Sequence, residues 1–114
     1  MHELTVTESL LELALRHAKT NDTKRINDLY LVIGQLSSIV DDSVQFYWDI
    51  IAKNTLAEGA RLHFRRVPTE LLCLDCNHQY APAKEDMACP VCNSIRVKIL
   101  AGNEFRLEAM DVET

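Results

Sequence analysis

The sequence has few glycines and prolines and no long apolar run. Three of each in 114 residues exclude collagen-like and low-complexity disordered chains. Apolar stretches such as residues 29–33 are far shorter than the roughly 20 residues of a membrane-spanning helix. The first residues also lack the basic start and apolar core of a signal peptide. With 47% hydrophobic and 25% charged residues, we expect one modest folded core in a cytosolic protein.

Basic residues are fewer than acidic ones. Twelve Lys and Arg against seventeen Asp and Glu give a formal net charge of -5, and such a surface repels phosphate backbones. Residues 68–103, which contain every cysteine, have no basic stripe either. The charged residues of that segment are Glu70, Asp75, Lys84, Glu85, Asp86, Arg96 and Lys98. This balance disfavours the main alternative function for the chain, a zinc ribbon that binds nucleic acid or scaffolds a transcription complex.

The four cysteines form two Cys-x-x-Cys pairs. Twelve residues separate Cys73 and Cys76 from Cys89 and Cys92, so each pair can hold one edge of a tetrahedron while the linker returns the chain. Reducing conditions favour metal ligation over disulfides, and two pairs at this spacing disfavour a redox dithiol. Because four thiolates saturate Zn²⁺ and leave no open position for catalysis, we predict one structural zinc ion per chain.

The segment around the cysteines should depend on this zinc for its fold. Residues 68–103 are too few to bury an adequate core, so metal binding should supply much of their folding free energy. His78 lies two residues beyond Cys76 and could contact the metal or a ligand, but we expect a surface histidine. We identify no internal repeat longer than the two Cys-x-x-Cys units.

Two amphipathic helices are predicted. The first covers residues 4–19, with Thr5 and Glu8 at the spacing of a capping box, although a start nearer Glu3 is open. The second begins at Asp42 or Ser43. The expected apolar face of the first helix is Leu4, Leu11, Ala14, Leu15 and Ala18, and that of the second is Val44, Tyr47, Trp48 and Ile51.

Three strands are predicted outside the cysteine segment. Residues 29–34 are β-branched and aromatic up to Gly34, which suits a central strand. Residues 60–65 and 104–109 alternate between apolar and polar side chains, with opposite charge bias on their polar sides. We therefore expect these two strands to be antiparallel neighbours, with residues 68–103 inserted between them.

The N-terminal sequence Met1-His2-Glu3 offers nitrogen ligands for a second metal. We expect His2 to precede the first helix, next to a free α-amino group. The Met1 amine, the deprotonated His2 amide and His2 Nδ1 would close a five-membered and a six-membered chelate ring, and Glu3 or another amide would complete a plane. Such a set suits Ni²⁺ or Cu²⁺ rather than Zn²⁺. Taken alone, a solvated N-terminal histidine is the simpler interpretation.

Short motifs along the whole chain are typical of one protein family. Met1-His2-Glu3 precedes a helix, Ile33-Gly34 closes a strand, and Ala57-Glu58-Gly59 precedes the next strand. Two Cys-x-x-Cys pairs follow, and then Gly102-Asn103-Glu104-Phe105-Arg106-Leu107. In this combination the chain resembles the HypA (HybF) family of hydrogenase maturation factors, which are nickel metallochaperones.

The resemblance implies an α+β fold, with two helices packed on a three-stranded mixed sheet and an inserted Cys₄ zinc-ribbon-like module. It assigns residues 1–67 and 104–114 to a nickel-binding α/β domain and residues 68–103 to a zinc-binding domain. It places nickel on His2 and the adjoining backbone, with Glu3 in or beside the site. Some members add an acidic side chain from the loop after the Ile-Gly strand end. Val40 falls near that position, followed by Asp41 and Asp42.

The resemblance also implies a carrier rather than an enzyme. The family delivers nickel to the large subunit of [NiFe] hydrogenase together with the GTPase HypB, whose expected contact is the first helix and the N-terminus. We expect no nucleic-acid partner, no membrane span, and a monomer or weak homodimer. The residues agree, since no nucleophile-base pair, phosphate-binding glycine loop or open zinc site can be assembled from them. His17 and His63 have no motif around them, and His63 should be exposed between two arginines.

Overall fold

The computed structural model describes residues 2–37, 39, 41–82 and 86–114, and describes the backbone alone for His2. Two helices pack with a three-stranded mixed sheet, and the cysteines lie in a second small sheet, which confirms the predicted α+β class. The elements are α1 His2–Thr20, β1 Arg25–Gly34, α2 Asp41–Ile51, β2 Arg61–Val67, β3 Glu70–Cys73, β4 Gln79–Tyr80, β5 Val97–Ala101 and β6 Phe105–Glu113.

The first helix begins earlier than its sequence predicts. Because α1 starts at His2, Thr5 and Glu8 lie inside it and the predicted capping box is wrong, as is the expectation that His2 precedes the helix. Thr7 is fully buried, and its hydroxyl donates to the Glu3 carbonyl one turn earlier. The buried stripe also differs from the predicted face, since Leu4 is 39% exposed. It consists of Thr7, Leu10, Ala14 and Ala18.

The second helix also begins before its predicted caps. It starts at Asp41, so Asp42 and Ser43 lie within its first turn. Carboxylates in that turn are favoured by the partial positive charge of the helix N-terminus. Val44 and Trp48 are fully buried and anchor one face of the helix. Tyr47 and Ile51, predicted on the same face, are partly exposed.

The larger sheet has the order β2-β1-β6, so β1 is the central strand, as predicted. The Asp28 carboxylate contacts the His63 ring, and the Gln35 amide donates to the Val67 carbonyl. Because later residues of β1 meet later residues of β2, the two strands run parallel, and α2 connects them. The β1–β6 pair is antiparallel, since the amides of Lys24 and Gly34 donate to the carbonyls of Glu113 and Glu104 respectively.

The predicted pairing of the two alternating strands is therefore wrong. β2 and β6 are the outer strands, and β1 lies between them. Strands with one polar side can occupy the edges of a sheet, whereas the apolar run of β1 is buried and suits the centre. The opposite charges that suggested direct pairing do meet, because Arg65 Nη2 lies 2.9 Å from Glu108 Oε2.

The chain divides into two compact units. The first contains Met1–Val32, Ile39–Arg65 and Arg106–Thr114, and the second contains Ile33–Ser38 and Arg66–Phe105. The second unit has its own sheet, in which β3 pairs antiparallel with β4 and with β5. The predicted division into a nickel-binding and a zinc-binding domain concerns metal ligation and stays a prediction.

Two glycines in the second unit bring backbone segments into close contact. The Gly34 amide donates to the Glu104 carbonyl and the Leu36 amide donates to the Gly102 carbonyl, both at 2.7 Å. A Cβ atom on Gly34 would lie 2.0 Å from the carbonyl carbon and oxygen of Gly102. Because these are backbone atoms, no side-chain rotation can relieve the clash.

Gly34→Ala is therefore expected to destabilise the chain by at least about 3 kcal/mol through overpacking. Gly59→Ala is the matched control, because Gly59 has φ of 78° but its nearest foreign atom, 3.4 Å away, is the tip of the Arg25 side chain. That control should cost about 1 kcal/mol. Urea unfolding of the zinc-loaded variants measures both. Equal midpoints would show that the Gly34 contact is not close in solution.

Candidate metal centre

The four predicted zinc ligands meet at one point. The sulfur atoms of Cys73, Cys76, Cys89 and Cys92 all lie within 4.8 Å of one another. Across the two pairs, the distance from Cys73 Sγ to Cys92 Sγ is 3.5 Å and that from Cys76 Sγ to Cys89 Sγ is 3.6 Å. Four sulfurs at about 2.3 Å from one zinc ion would be about 3.8 Å apart in a tetrahedron. The cluster therefore fits a Cys₄ zinc site.

Each Cys-x-x-Cys pair forms the same tight turn. The Asn77 amide donates to the Cys73 carbonyl at 2.9 Å, and the Asn93 amide donates to the Cys89 carbonyl at 2.8 Å. Both asparagines have φ of 62°, a left-handed conformation that asparagine tolerates better than most residues. The repeated unit is therefore Cys-x-x-Cys-Asn, one residue longer than the predicted repeat. The asparagine after each pair was the sequence signal for it.

Backbone amides point at the sulfurs and favour their thiolate form. Burial raises the pKa of the Cys89 thiol, but amide donors from Cys92 and Val91, together with the thiols of Cys76 and Cys92, lower that pKa to about 7. The His78 amide lowers the pKa of Cys76, but burial and the neighbouring sulfurs together raise it to about 12. The Cys89 thiol therefore ionises more readily than the Cys76 thiol. A divalent cation bound by all four sulfurs would displace the remaining thiol protons.

The apolar cluster around the sulfurs is small. Its buried members are Leu71, Cys73, Tyr80 and Cys89, and the partly buried Met87 and Val97 pack against them. The Tyr80 hydroxyl donates to the Met87 carbonyl at 2.5 Å. Burial raises the pKa of Tyr80, and the thiolates of Cys89 and Cys73 raise it further. So small an apolar cluster supports a fold that depends on its metal.

Charged groups connect the two turns on the outside. Asp75, inside the first pair, accepts hydrogen bonds from Ser94 Oγ and Arg96 Nη1 beyond the second pair. The Leu74 amide donates to the Arg96 carbonyl at 2.8 Å. These contacts hold both turns in register around the sulfurs.

No histidine side chain that the structure describes belongs to this cluster. His78 stacks on Tyr80, with ring centroids 5.9 Å apart, and its carbonyl accepts from the Cys73 amide. His17 lies in the last turn of α1. His63 is more constrained than predicted, because its Nε2 lies 2.8 Å from Asp28 Oδ1 and its ring stacks on Tyr30. Among the described residues, the four cysteines are the one group of at least three ligand-type side chains close enough for a shared metal.

The structure describes only some of the residues predicted to bind nickel. Met1, Val40 and the His2 side chain lie outside the described residues. Glu3 is in the first turn of α1 and partly buried, and Asp41 and Asp42 are in the first turn of α2. Within the described part of the chain, no helix is both long and apolar enough to cross a membrane.

Known proteins match this chain over nearly its whole length. The family model described as hydrogenase/urease nickel incorporation, metallochaperone, hypA matches residues 1–112. A hydrogenase maturation factor HypA from Dehalococcoides mccartyi is 37% identical over 113 residues, covering 99% of this chain and 95% of that protein.

Two solved structures resemble this chain in sequence and fold. The Ni metallochaperone HypA from Helicobacter pylori, solved in solution, has a TM-score of 0.69 and 29% identity, covering 96% of both chains. A second HypA solution structure has a TM-score of 0.74 and 31% identity, covering 99% of this chain and 97% of the other. By sequence, fold and cysteine geometry, this chain belongs to the HypA family of hydrogenase maturation factors and nickel metallochaperones.

Proposed function

We propose that this chain carries Ni²⁺ at its N-terminus, through His2, and delivers it to [NiFe] hydrogenase during maturation, while the cysteines hold a structural zinc ion. The supporting observation is the family match over residues 1–112, which includes Met1-His2-Glu3 and all four cysteines. The ligand types separate the two metals. Four thiolates retain Zn²⁺, whereas imidazole and amide nitrogens accept Ni²⁺.

The start of α1 makes backbone nitrogen available for this role. The first amide groups of a helix have no partner within the helix, so the His2 amide can release its proton to solvent and bind a metal without breaking a helical hydrogen bond. The imidazole of His2 and the Met1 amine are the other proposed ligands. Glu3, in the first turn of α1 next to His2, is the proposed further ligand through its carboxylate. Asp41 and Asp42, in the first turn of α2, are not assigned to the nickel site.

The cysteine cluster is unsuited to carrying cargo. A carrier must release its ion, and four thiolates fixed by two tight turns would retain theirs. We assign the zinc a structural role, with one ion per chain, and assign the protein no catalytic step. A HypB-type GTPase and the hydrogenase large subunit are the proposed partners. We further propose a monomer or weak homodimer that works in the cytoplasm, where clustered thiols stay reduced.

A genetic test measures delivery. A hydrogenase-producing strain that lacks its own HypA should regain hydrogenase activity when this chain is supplied at low nickel, whereas the His2→Ala chain should restore less than about a tenth of it. Excess nickel in the medium should reduce the difference in hydrogenase activity between the two strains, because a high nickel concentration lets the ion reach the hydrogenase without a carrier. Equal rescue by both chains at low nickel would contradict the proposal. His17→Ala is the control for loss of a histidine elsewhere on α1.

A further inference from the structure

The outer surface of α2 exposes two large apolar side chains. Phe46 is 60% exposed and Ile50 is 50% exposed, and they are neighbours because residues four apart lie on the same side of a helix. The Phe46 ring makes an edge contact with Tyr47, at 5.4 Å between centroids. On the opposite side, Val44 and Trp48 are fully buried and hold the helix in place. The apolar pair is thus presented on a rigid support.

All the charged residues of α2 are acidic. Asp41, Asp42 and Asp49 belong to α2, and no residue of Asp41–Ile51 is basic. Asp42 and Asp49, four before and three after Phe46, are exposed beside it. Gln45 holds Asp49 in place, since its Nε2 donates to Asp49 Oδ1 at 2.9 Å and its Oε1 accepts from the Leu62 amide at 3.0 Å.

We propose that α2 docks, through Phe46 and Ile50, into an apolar groove on a partner protein whose rim carries lysine or arginine. An amphipathic helix face in an apolar groove is a common mode of protein recognition. Charge complementarity selects a basic rim, because Asp42 and Asp49 lie one turn before and one turn after Phe46, along one edge of the apolar pair. The same charges disfavour a second copy of this chain, since a two-fold interface on this face would place the carboxylates of both copies in one interface.

The size of the surface fits a transient contact. Two side chains supply much less than the roughly 800 Å² per partner of a stable interface. An exposed aromatic residue can nevertheless dominate the affinity of a small interface. Short-lived docking suits a carrier that must leave after delivery, so this inference rests on the proposed function for its choice of partners.

The test uses the two proposed partners, the HypB-type GTPase and the hydrogenase large-subunit precursor, each purified from the source organism of this chain. Their affinities for the full-length, zinc-loaded chain are measured by biolayer interferometry at low and high salt. Phe46→Ala should weaken binding to at least one partner by about 10-fold or more. Asp49→Asn should weaken the same binding about two- to threefold at low salt, and less at high salt because exposed charges are screened.

Two control variants distinguish a role of this surface from the general effect of losing an apolar or a charged side chain. Leu56→Ala removes another apolar side chain, 39% exposed, and Asp22→Asn removes another exposed carboxylate. Neither should change the affinity. The proposal is overturned if neither partner binds, or if Phe46→Ala leaves both affinities unchanged. Nickel titration of Phe46→Ala should match the unmodified chain, so a docking failure is distinguishable from a failure of the nickel proposal.

Discussion

Replacing Cys76 with serine is expected to remove zinc from the chain and unfold β3, β4 and β5, while α1 and α2 stay helical. A serine hydroxyl does not replace a thiolate on zinc, and three sulfurs leave the ion open to solvent. The apolar cluster of Leu71, Cys73, Tyr80 and Cys89 is too small to maintain the unit without its metal. The helices belong to the other compact unit, with Trp48 and Ala14 in its core.

Metal analysis and amide hydrogen exchange measure this result. Zinc should fall from one ion per chain to nearly none, and amides of Glu70–Cys73 and Val97–Ala101 should lose protection, while far-UV circular dichroism keeps its helical signal. His78→Ala is the control, because His78 lies beside the cysteines but outside the sulfur cluster, and it should retain zinc. Loss of all helical signal in Cys76→Ser would show that the two units fold as one.

Replacing His2 with alanine is expected to weaken nickel binding by at least about 100-fold and to leave zinc unchanged. Even neighbours of metal ligands alter metal affinity by about 10- to 100-fold, so a direct ligand should matter at least as much. The imidazole would close the larger of two chelate rings, and its loss would leave backbone nitrogen to hold the ion alone. Zinc should not respond, because the four sulfurs already form a complete set.

Calorimetric titration of nickel into zinc-loaded chains measures the difference. His17→Ala and His63→Ala are suitable controls, since both remove a histidine from the same compact unit as His2. Both variants should bind one nickel ion with the affinity of the unmodified chain. Undiminished affinity in His2→Ala, or an equal loss in a control, would count against the proposed ligand.

The four-cysteine cluster could be predicted from the sequence because local spacing determines it. Two residues between cysteines suffice to direct both sulfurs at one ion, and a four-sulfur site needs two such turns. The central strand was predictable for a similar reason, as the apolar run ending at Gly34 suits burial on both faces. The helices were also predictable in type, although not in their first residues.

Features that depend on distant contacts were not predictable. The opposite charges of β2 and β6 indicated direct pairing, but the order of strands depends on which one can be buried on both faces. On α1, Leu10 rather than Leu11 is buried, because the buried side of the helix is the one that carries Ala14 and Ala18. The sequence of the helix alone does not determine which side faces the core. The contact between Gly34 and Gly102 joins segments 68 positions apart, which no local pattern indicates.

The proposed function depends on the separation of two metals by ligand type. X-ray absorption at the zinc and nickel edges, on a chain carrying one equivalent of each ion, tests it most directly. We predict four sulfur neighbours at about 2.3 Å around zinc, and nitrogen or oxygen neighbours without sulfur around nickel. Sulfur in the nickel shell would contradict the account, because nickel would then share or replace the zinc at Cys73, Cys76, Cys89 and Cys92.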